Sequence, residues 1–364
     1  MTPDIPKQMK AARITQFKQP MACETIDVPS KLEGHECLIK IQAAGWCHTD
    51  LQVCDGVYEA QGAHSGLVGS HEPAGLVVEL GPDAEKEGKI KIGDRVGSTN
   101  TFGFCGACSS CRQGKQLCEN IKGLLGLTID GGFSEYMKAD ARVVTRIPDS
   151  IDFVSAAPLF CAGATVYGAL MAADLKKGQW VAIVGCGGLG HLGCQYARAL
   201  GVNVVAVDNR QEGLEVLKKA PKHLQPDETR LIDSDESKES VAKELGGAFH
   251  ETNAGVDRVV ICAEDKNLVL WSQKLLRKGG IIVDVGLPAD GPFLVDSFAL
   301  NFCEQQLRGR LICSPEEIES MLKLHADNSC ETYVEKTYRV EQINDMIEHY
   351  KSKSLMGRLV MDFQ

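Results

Sequence analysis

Along residues 1–150, apolar and polar positions alternate over short stretches broken by glycine and proline. Cys37-Leu-Ile-Lys-Ile-Gln, Gly75-Leu-Val-Val-Glu-Leu and Asp94-Arg-Val-Gly read as strands, so this region is β-rich and irregular. From about Trp180 the texture changes. Val181-Ala-Ile-Val is a short apolar strand, Gly188–Leu200 has helical spacing and stops at Gly201, and Val204-Val-Ala-Val is a second strand closing at Asp208. Apolar strands recur at Arg258-Val-Val-Ile-Cys and Ile281-Ile-Val-Asp-Val with helical segments between them, which indicates a doubly wound parallel sheet. Beyond residue 300 the pattern predicts a strand at Leu307–Ile312, helices over 315–326 and 341–351, and a last strand, Gly357-Arg-Leu-Val-Met-Asp-Phe. The fold class is therefore α/β, a β-rich part joined to a parallel-sheet part.

A chain of 364 residues exceeds one ordinary core, which makes two domains the expectation. A formal charge of −10 argues against nucleic acid or an anionic membrane as a partner. The N-terminus has no signal-peptide core, and no run reaches about 18 apolar residues, so a cytoplasmic protein is expected. In that reducing compartment, clusters among the 15 cysteines point to metal ligands or catalytic groups rather than disulfides. The scattered cysteines read as small buried hydrophobes.

Gly185-Cys-Gly-Gly-Leu-Gly190 matches G-x-G-x-x-G between a predicted strand and a predicted helix, with Asp208 ending the next strand. Gly185 permits the tight turn, Gly187 lets the backbone approach phosphates, and Gly190 lets helix and strand meet closely. The helix start offers free N–H groups to a pyrophosphate, with Gly188 and Leu189 in the same loop. Asp208 suits the ribose diol of NAD and repels a 2′-phosphate, whereas Arg210 nearby could accommodate one, so NAD is preferred and NADP is not excluded.

Cys105, Cys108, Cys111 and Cys118 follow the spacing C-x2-C-x2-C-x6-C. Four thiolates with short turn-rich gaps can close a tetrahedral site around Zn2+ and leave no position for substrate. A ferredoxin-type cluster would have a three-residue last gap followed by proline; here Glu119 follows Cys118. This lobe, about residues 103–120, reads as structural zinc. Cys47, His71 and Cys161 are dispersed, and no spacing rule joins them. Two thiolates and an imidazole nevertheless form a catalytic zinc set with an open fourth position.

GWCHTD, GSHEPAG, the four-cysteine lobe, LFCAGATVYGAL, VGCGGLGHLGCQYARALG and the closing LMGRLV occur in that order. Together they resemble the zinc-dependent alcohol dehydrogenases of the medium-chain dehydrogenase/reductase superfamily, over essentially the whole chain. The short connection from Cys118 to Gly131 is closer to the tetrameric microbial enzymes than to the dimeric animal ones. The resemblance implies a GroES-like catalytic domain (1–160 and 299–364) interrupted by a Rossmann domain (161–298), with the active site in the cleft between them. It implies two zinc ions per chain, NAD(H), a small alcohol or aldehyde substrate, and a homotetramer or homodimer with no nucleic-acid or membrane partner.

Carried over by position, Cys47, His71 and Cys161 match the catalytic zinc ligands. Glu72 matches a glutamate behind the metal, and Asp50 the carboxylate that orients the ligand histidine. Thr49 matches the hydroxyl that receives the alcohol proton. His48 and Arg358 match pyrophosphate contacts, Thr165 and Leu189 match residues around the nicotinamide, and Val285 is a further expected cofactor-binding position. The implied reaction is hydride transfer between an alcohol and nicotinamide C4, with the alcohol oxygen on the catalytic zinc.

Two departures stand out. Gln52 stands where many relatives have a histidine that ends a proton relay, and glutamine is no base near neutral pH. Cys54 and Tyr58 stand where yeast-type ethanol enzymes carry tryptophans, which implies a substrate bulkier than ethanol. A quinone- or enoyl-type reductase lacks the zinc ligands, and a polyol dehydrogenase typically has glutamate at the position of Cys161. A non-enzymatic zinc and dinucleotide sensor would not need Thr49.

Overall fold

A computed structural model describes residues 5–247, 255–288, 291–352 and 354–364. The chain forms two compact units, one of Met1–Cys161, Ser314–Ala326 and Val334–Gln364, the other of Ala162–Cys313 and Asp327–Tyr333. Among the described residues, no single helix is long and apolar enough to cross a membrane.

In the first unit, strand Glu36–Trp46 is the hub. It pairs antiparallel with Pro73–Leu80, Tyr136–Asp140 and Arg358–Asp362 in one sheet. Arg95–Ser98 extends that sheet beyond Pro73–Leu80. A separate three-stranded sheet is built on Gln8–Ile14. The apolar face of the hub, with Ile39, Ile41 and Trp46, joins Leu67, Phe133 and Met361 in a buried cluster. Alternation along Gln8–Ile14, in which Met9 and Ala11 are buried while Gln8 and Lys10 are exposed, is what a half-buried strand requires.

The second unit contains a six-stranded all-parallel sheet. Its order from one edge is Glu228–Leu231, Asn203–Asp208, Trp180–Val184, Val256–Ile261, Leu276–Asp284 and Gln306–Gly309. Its inner strands are buried on both faces, which explains why they read as continuous apolar runs rather than alternating ones. The boundaries differ from the sequence reading. Cys161 belongs with the first unit, not the second, and the second unit runs to Cys313 rather than 298. The reason is strand Gln306–Gly309, shorter than predicted, which pairs in parallel with Leu276–Asp284 and sends Leu307 to the second unit's apolar cluster. Of the scattered cysteines, Cys37, Cys54, Cys186, Cys194, Cys313 and Cys330 are buried, whereas Cys23 is exposed.

One close approach fixes the end of the first unit's long N-terminal segment. A Cβ added to Gly97 would lie 1.9 Å from the Phe160 ring, so the ring rests directly on the Gly97 backbone. Phe160 immediately precedes Cys161. Gly97→Ala is expected to destabilise the first unit by about 1–3 kcal/mol through overpacking, read by urea unfolding, and to loosen metal retention where Cys161 participates.

Candidate active site

Register decides which residues meet in the first unit. Strand Glu36–Trp46 pairs Ala44 with Pro73 and Trp46 with Leu359, both antiparallel. Its C-terminal end therefore lies beside the N-terminal ends of both neighbours. Cys47 follows the hub strand, His71 and Glu72 precede one neighbour, and Arg358 opens the other. Cys161 arrives from the short helical turn Ala157–Phe160 held over Gly97.

These ends bring the dispersed residues together. Cys47 Sγ and Cys161 Sγ are 3.9 Å apart, and His71 Nε2 is 3.2 Å from Cys161 Sγ. Glu72 completes the cluster, with one ligand atom from each of the four residues within 4.8 Å of the others. Two thiolates bound tetrahedrally at about 2.3 Å from zinc would be about 3.8 Å apart, so the separations fit a zinc ion, as does a donor set of two sulfurs and one imidazole nitrogen.

Asp50 binds this cluster from behind. It sits in the first turn of helix His48–Cys54, where one oxygen accepts the Cys47 N–H at 2.8 Å. The other oxygen is 3.1 Å from His71 Nδ1, which directs His71 Nε2 to the thiols. Thr49 Oγ1 is 4.0 Å from Cys47 Sγ. His48, whose resemblance is to a pyrophosphate contact, has Nδ1 3.2 Å from the Tyr350 hydroxyl. Gln52 is buried, and its Oε1 accepts the Tyr58 hydroxyl at 3.0 Å. Cys54 is part of the buried core, with Tyr58 against it.

Arg358, whose resemblance is to a pyrophosphate contact, is paired with Glu72. One guanidinium nitrogen lies 2.5 Å from both Glu72 oxygens, and the pair is 5% and 0% exposed. The structure thus places this guanidinium on Glu72, and its Nε is buried with no hydrogen-bond partner among the described residues. Gly45 makes room for the pair, because a Cβ there would lie 1.9 Å from Glu72 Oε2.

The cluster's titration follows from burial and neighbours. Burial pushes the Glu72 carboxyl up to about 7 against the opposing pull of Arg358. The Cys161 thiol, by hydrogen bonding, draws the Cys47 pKa well below that of a free thiol; the same contact raises Cys161. Burial lowers the His71 pKa, but the charge and hydrogen bond of Asp50, with Cys47, raise it overall.

The four-cysteine lobe is a second donor set. Its sulfurs stand 3.9 Å (Cys105–Cys111), 3.5 Å (Cys108–Cys111) and 3.6 Å (Cys105–Cys118) apart. These match the roughly 3.8 Å edge of a tetrahedral zinc site built from four thiolates. The Ala107 and Cys108 backbone N–H groups lower the Cys105 pKa to about 6, and that of Glu119 lowers Cys108.

In the second unit, Gly185 lies at φ +91°, and Gly190 approaches so closely that a Cβ on it would be 1.9 Å from the Gly185 oxygen. A Cβ on Gly187 would meet only Arg210 Nη2, at 3.9 Å. Gly188 and Leu189 complete the loop, and Leu189 caps helix Gly190–Ala199. Asp208 Oδ2 accepts the Cys186 N–H at 2.6 Å and Oδ1 the Arg210 N–H at 2.8 Å, so the carboxylate at the strand end is set by the loop it faces. Thr165 is buried on helix Ala162–Ala172, and Val285 follows strand Leu276–Asp284. The partners Tyr350, Tyr58 and the Glu72–Arg358 pair went unforeseen, because none has a local spacing signal.

Asp50→Asn is expected to weaken metal retention at the Cys47–His71–Cys161 cluster by about 10- to 100-fold, read by chelator competition with elemental analysis. The four-cysteine lobe should keep its metal in that sample, and Cys111→Ser should show the reverse pattern.

Residues 33–149 match the family described as the alcohol dehydrogenase GroES-like domain, and residues 188–327 match the zinc-binding dehydrogenase family. An alcohol dehydrogenase of Geobacillus stearothermophilus is 36% identical, spanning 97% of this chain and 99% of its own. An alcohol dehydrogenase of Moraxella sp. (strain TAE123) is also 36% identical, over 98% of this chain and 99% of its own. The crystal structure of the alcohol dehydrogenase of Aeropyrum pernix superposes with a TM-score of 0.83 at 28% identity, covering 97% of this chain and 99% of that one. With both zinc-fitting donor sets and the fingerprint loop in place, the chain belongs to the zinc-type medium-chain alcohol dehydrogenases, enzymes that use zinc and a nicotinamide dinucleotide to interconvert alcohols and carbonyl compounds.

Proposed function

We propose that this enzyme oxidises and reduces substrates bulkier than ethanol, prefers NAD(H), and works best in oxidation at alkaline pH. The observation that carries the proposal is the gathering of Cys47, His71 and Cys161 around one point, with Thr49 beside them. These three side chains would hold the catalytic zinc, and Cys105, Cys108, Cys111 and Cys118 the structural one. The bound groups supply Lewis acidity at the substrate oxygen, from zinc, and a hydride acceptor or donor, from the nicotinamide.

The chain's own residues handle the proton. Thr49 takes it from the alcohol and passes its own onward. Thr49 and Gln52 lie three residues apart on helix His48–Cys54 and so share a face. Gln52 cannot accept the proton near neutral pH, and its oxygen already accepts from Tyr58. The proton therefore leaves to water, which favours oxidation as pH rises. Asp208 supports NAD(H), since a carboxylate with both oxygens fixed at the strand end repels a 2′-phosphate. Cys54 and Tyr58, in place of the tryptophans of the ethanol enzymes, support the larger substrate.

Gln52→His is expected to move the acidic limb of the kcat/KM profile for alcohol oxidation toward neutral pH and to raise the rate at pH 7 by about tenfold. An unchanged profile would sink the role given to Gln52. A coupled absorbance assay over ethanol, benzyl alcohol and cinnamyl alcohol, each with NAD and NADP, tests the rest. Higher kcat/KM for the aromatic alcohols and for NAD is the expected result, and a preference for ethanol or for NADP overturns the corresponding part.

A further inference from the structure

His191 follows the last fingerprint glycine on helix Gly190–Ala199 and is 2% exposed. Its Nδ1 is 2.9 Å from the Gly187 carbonyl oxygen, which also accepts the His191 main-chain N–H at 3.2 Å. Its Nε2 accepts the Tyr333 main-chain N–H at 3.3 Å. An acceptor at Nε2 leaves the ring proton on Nδ1, where it donates to Gly187. One turn further, Gln195 repeats the grip: its Nε2 donates to the Glu331 carbonyl and its Oε1 accepts the Glu331 N–H, each at 2.8 Å. Two side chains four residues apart on one helix face thus hold Glu331–Tyr333.

The consequence lies in one peptide plane. A trans peptide points the N–H of Gly188 opposite to the C=O of Gly187. With that carbonyl held to His191 by two hydrogen bonds, the Gly188 N–H faces away from the helix, toward the end where an anion is received. Gly187 has no side chain, and only Arg210 would come within 4 Å of a Cβ there.

The geometry points to His191 as a positioning residue for the dinucleotide: it locks the Gly187–Gly188 peptide so that the Gly188 N–H meets the pyrophosphate, and Tyr333 braces its ring. This rests on the fingerprint loop being the dinucleotide site. Two substitutions separate the two contacts. The amide of asparagine can reach Gly187 but not Tyr333, and that of glutamine can reach Tyr333 but loses the donor to Gly187.

Binding of NADH by fluorescence, and of ADP-ribose and adenosine by calorimetry, is measured on the zinc-loaded full chain, with melting temperature followed in parallel. His191→Gln is expected to weaken NADH and ADP-ribose about fivefold, the value of one hydrogen bond, without weakening adenosine. His191→Asn is expected to recover most of that loss. Equal loss in both variants, a loss shared by adenosine, or a lower melting temperature with unchanged affinities overturns the role of His191. If the wild-type chain binds neither NADH nor ADP-ribose, the dinucleotide reading itself fails.

Discussion

The two oxygens of Asp50 reach two separate strand ends, and the catalytic cluster depends on that span. One oxygen accepts the N–H of Cys47 and the other faces Nδ1 of His71. The carboxylate is 2% exposed, so both contacts are needed to offset its burial. It also fixes helix His48–Cys54, because a carboxylate in the first turn satisfies an otherwise free N–H at the helix start. That helix then disposes His48 toward Tyr350, Thr49 toward Cys47 and Gln52 toward Tyr58. Four polar side chains on consecutive positions have four different environments because the chain passes from strand to helix at Cys47.

The parts of this molecule that were legible in sequence are those whose physics is local. The fingerprint loop and the four-cysteine lobe are set within a few turns of chain, and the apolar runs of the parallel sheet report burial on both faces. Strand Gln306–Gly309 was harder to assign, since its exposed edge residues obscure its pairing. That is why the second unit runs further than the sequence pattern suggests. Cys47, His71 and Cys161 could be joined only through resemblance. What unites them physically is antiparallel register, a property no spacing along one segment encodes. Glu72 and Arg358 are 286 residues apart, and His191 reads in isolation as one more polar helix residue. Pairings of this kind become visible only when the strand order is known.

Charge balance explains why the two donor sets sit in such different surroundings. Two thiolates, a neutral imidazole and a dication sum to zero, and the adjacent Glu72–Arg358 pair also sums to zero once the Glu72 carboxyl is ionised. The catalytic cluster can therefore be buried at Cys47, His71 and Glu72 without stranding a net charge in a poorly solvated interior. Four thiolates around a dication leave two negative charges. Burying those would cost far more, and the lobe accordingly leaves Cys105 exposed and Cys108 and Cys111 half-buried. Backbone N–H groups donate to the sulfurs there, from Cys108 to Cys105 and from Asn120 to Cys118, spreading the excess charge over the lobe. Arg142 lies against this lobe, its guanidinium 3.9 Å from the centre of the Phe104 ring. A neutral buried site has a further consequence for catalysis. Any negative charge that develops on a substrate oxygen is the first uncompensated charge in that interior, so it interacts strongly with the nearby cations and donors.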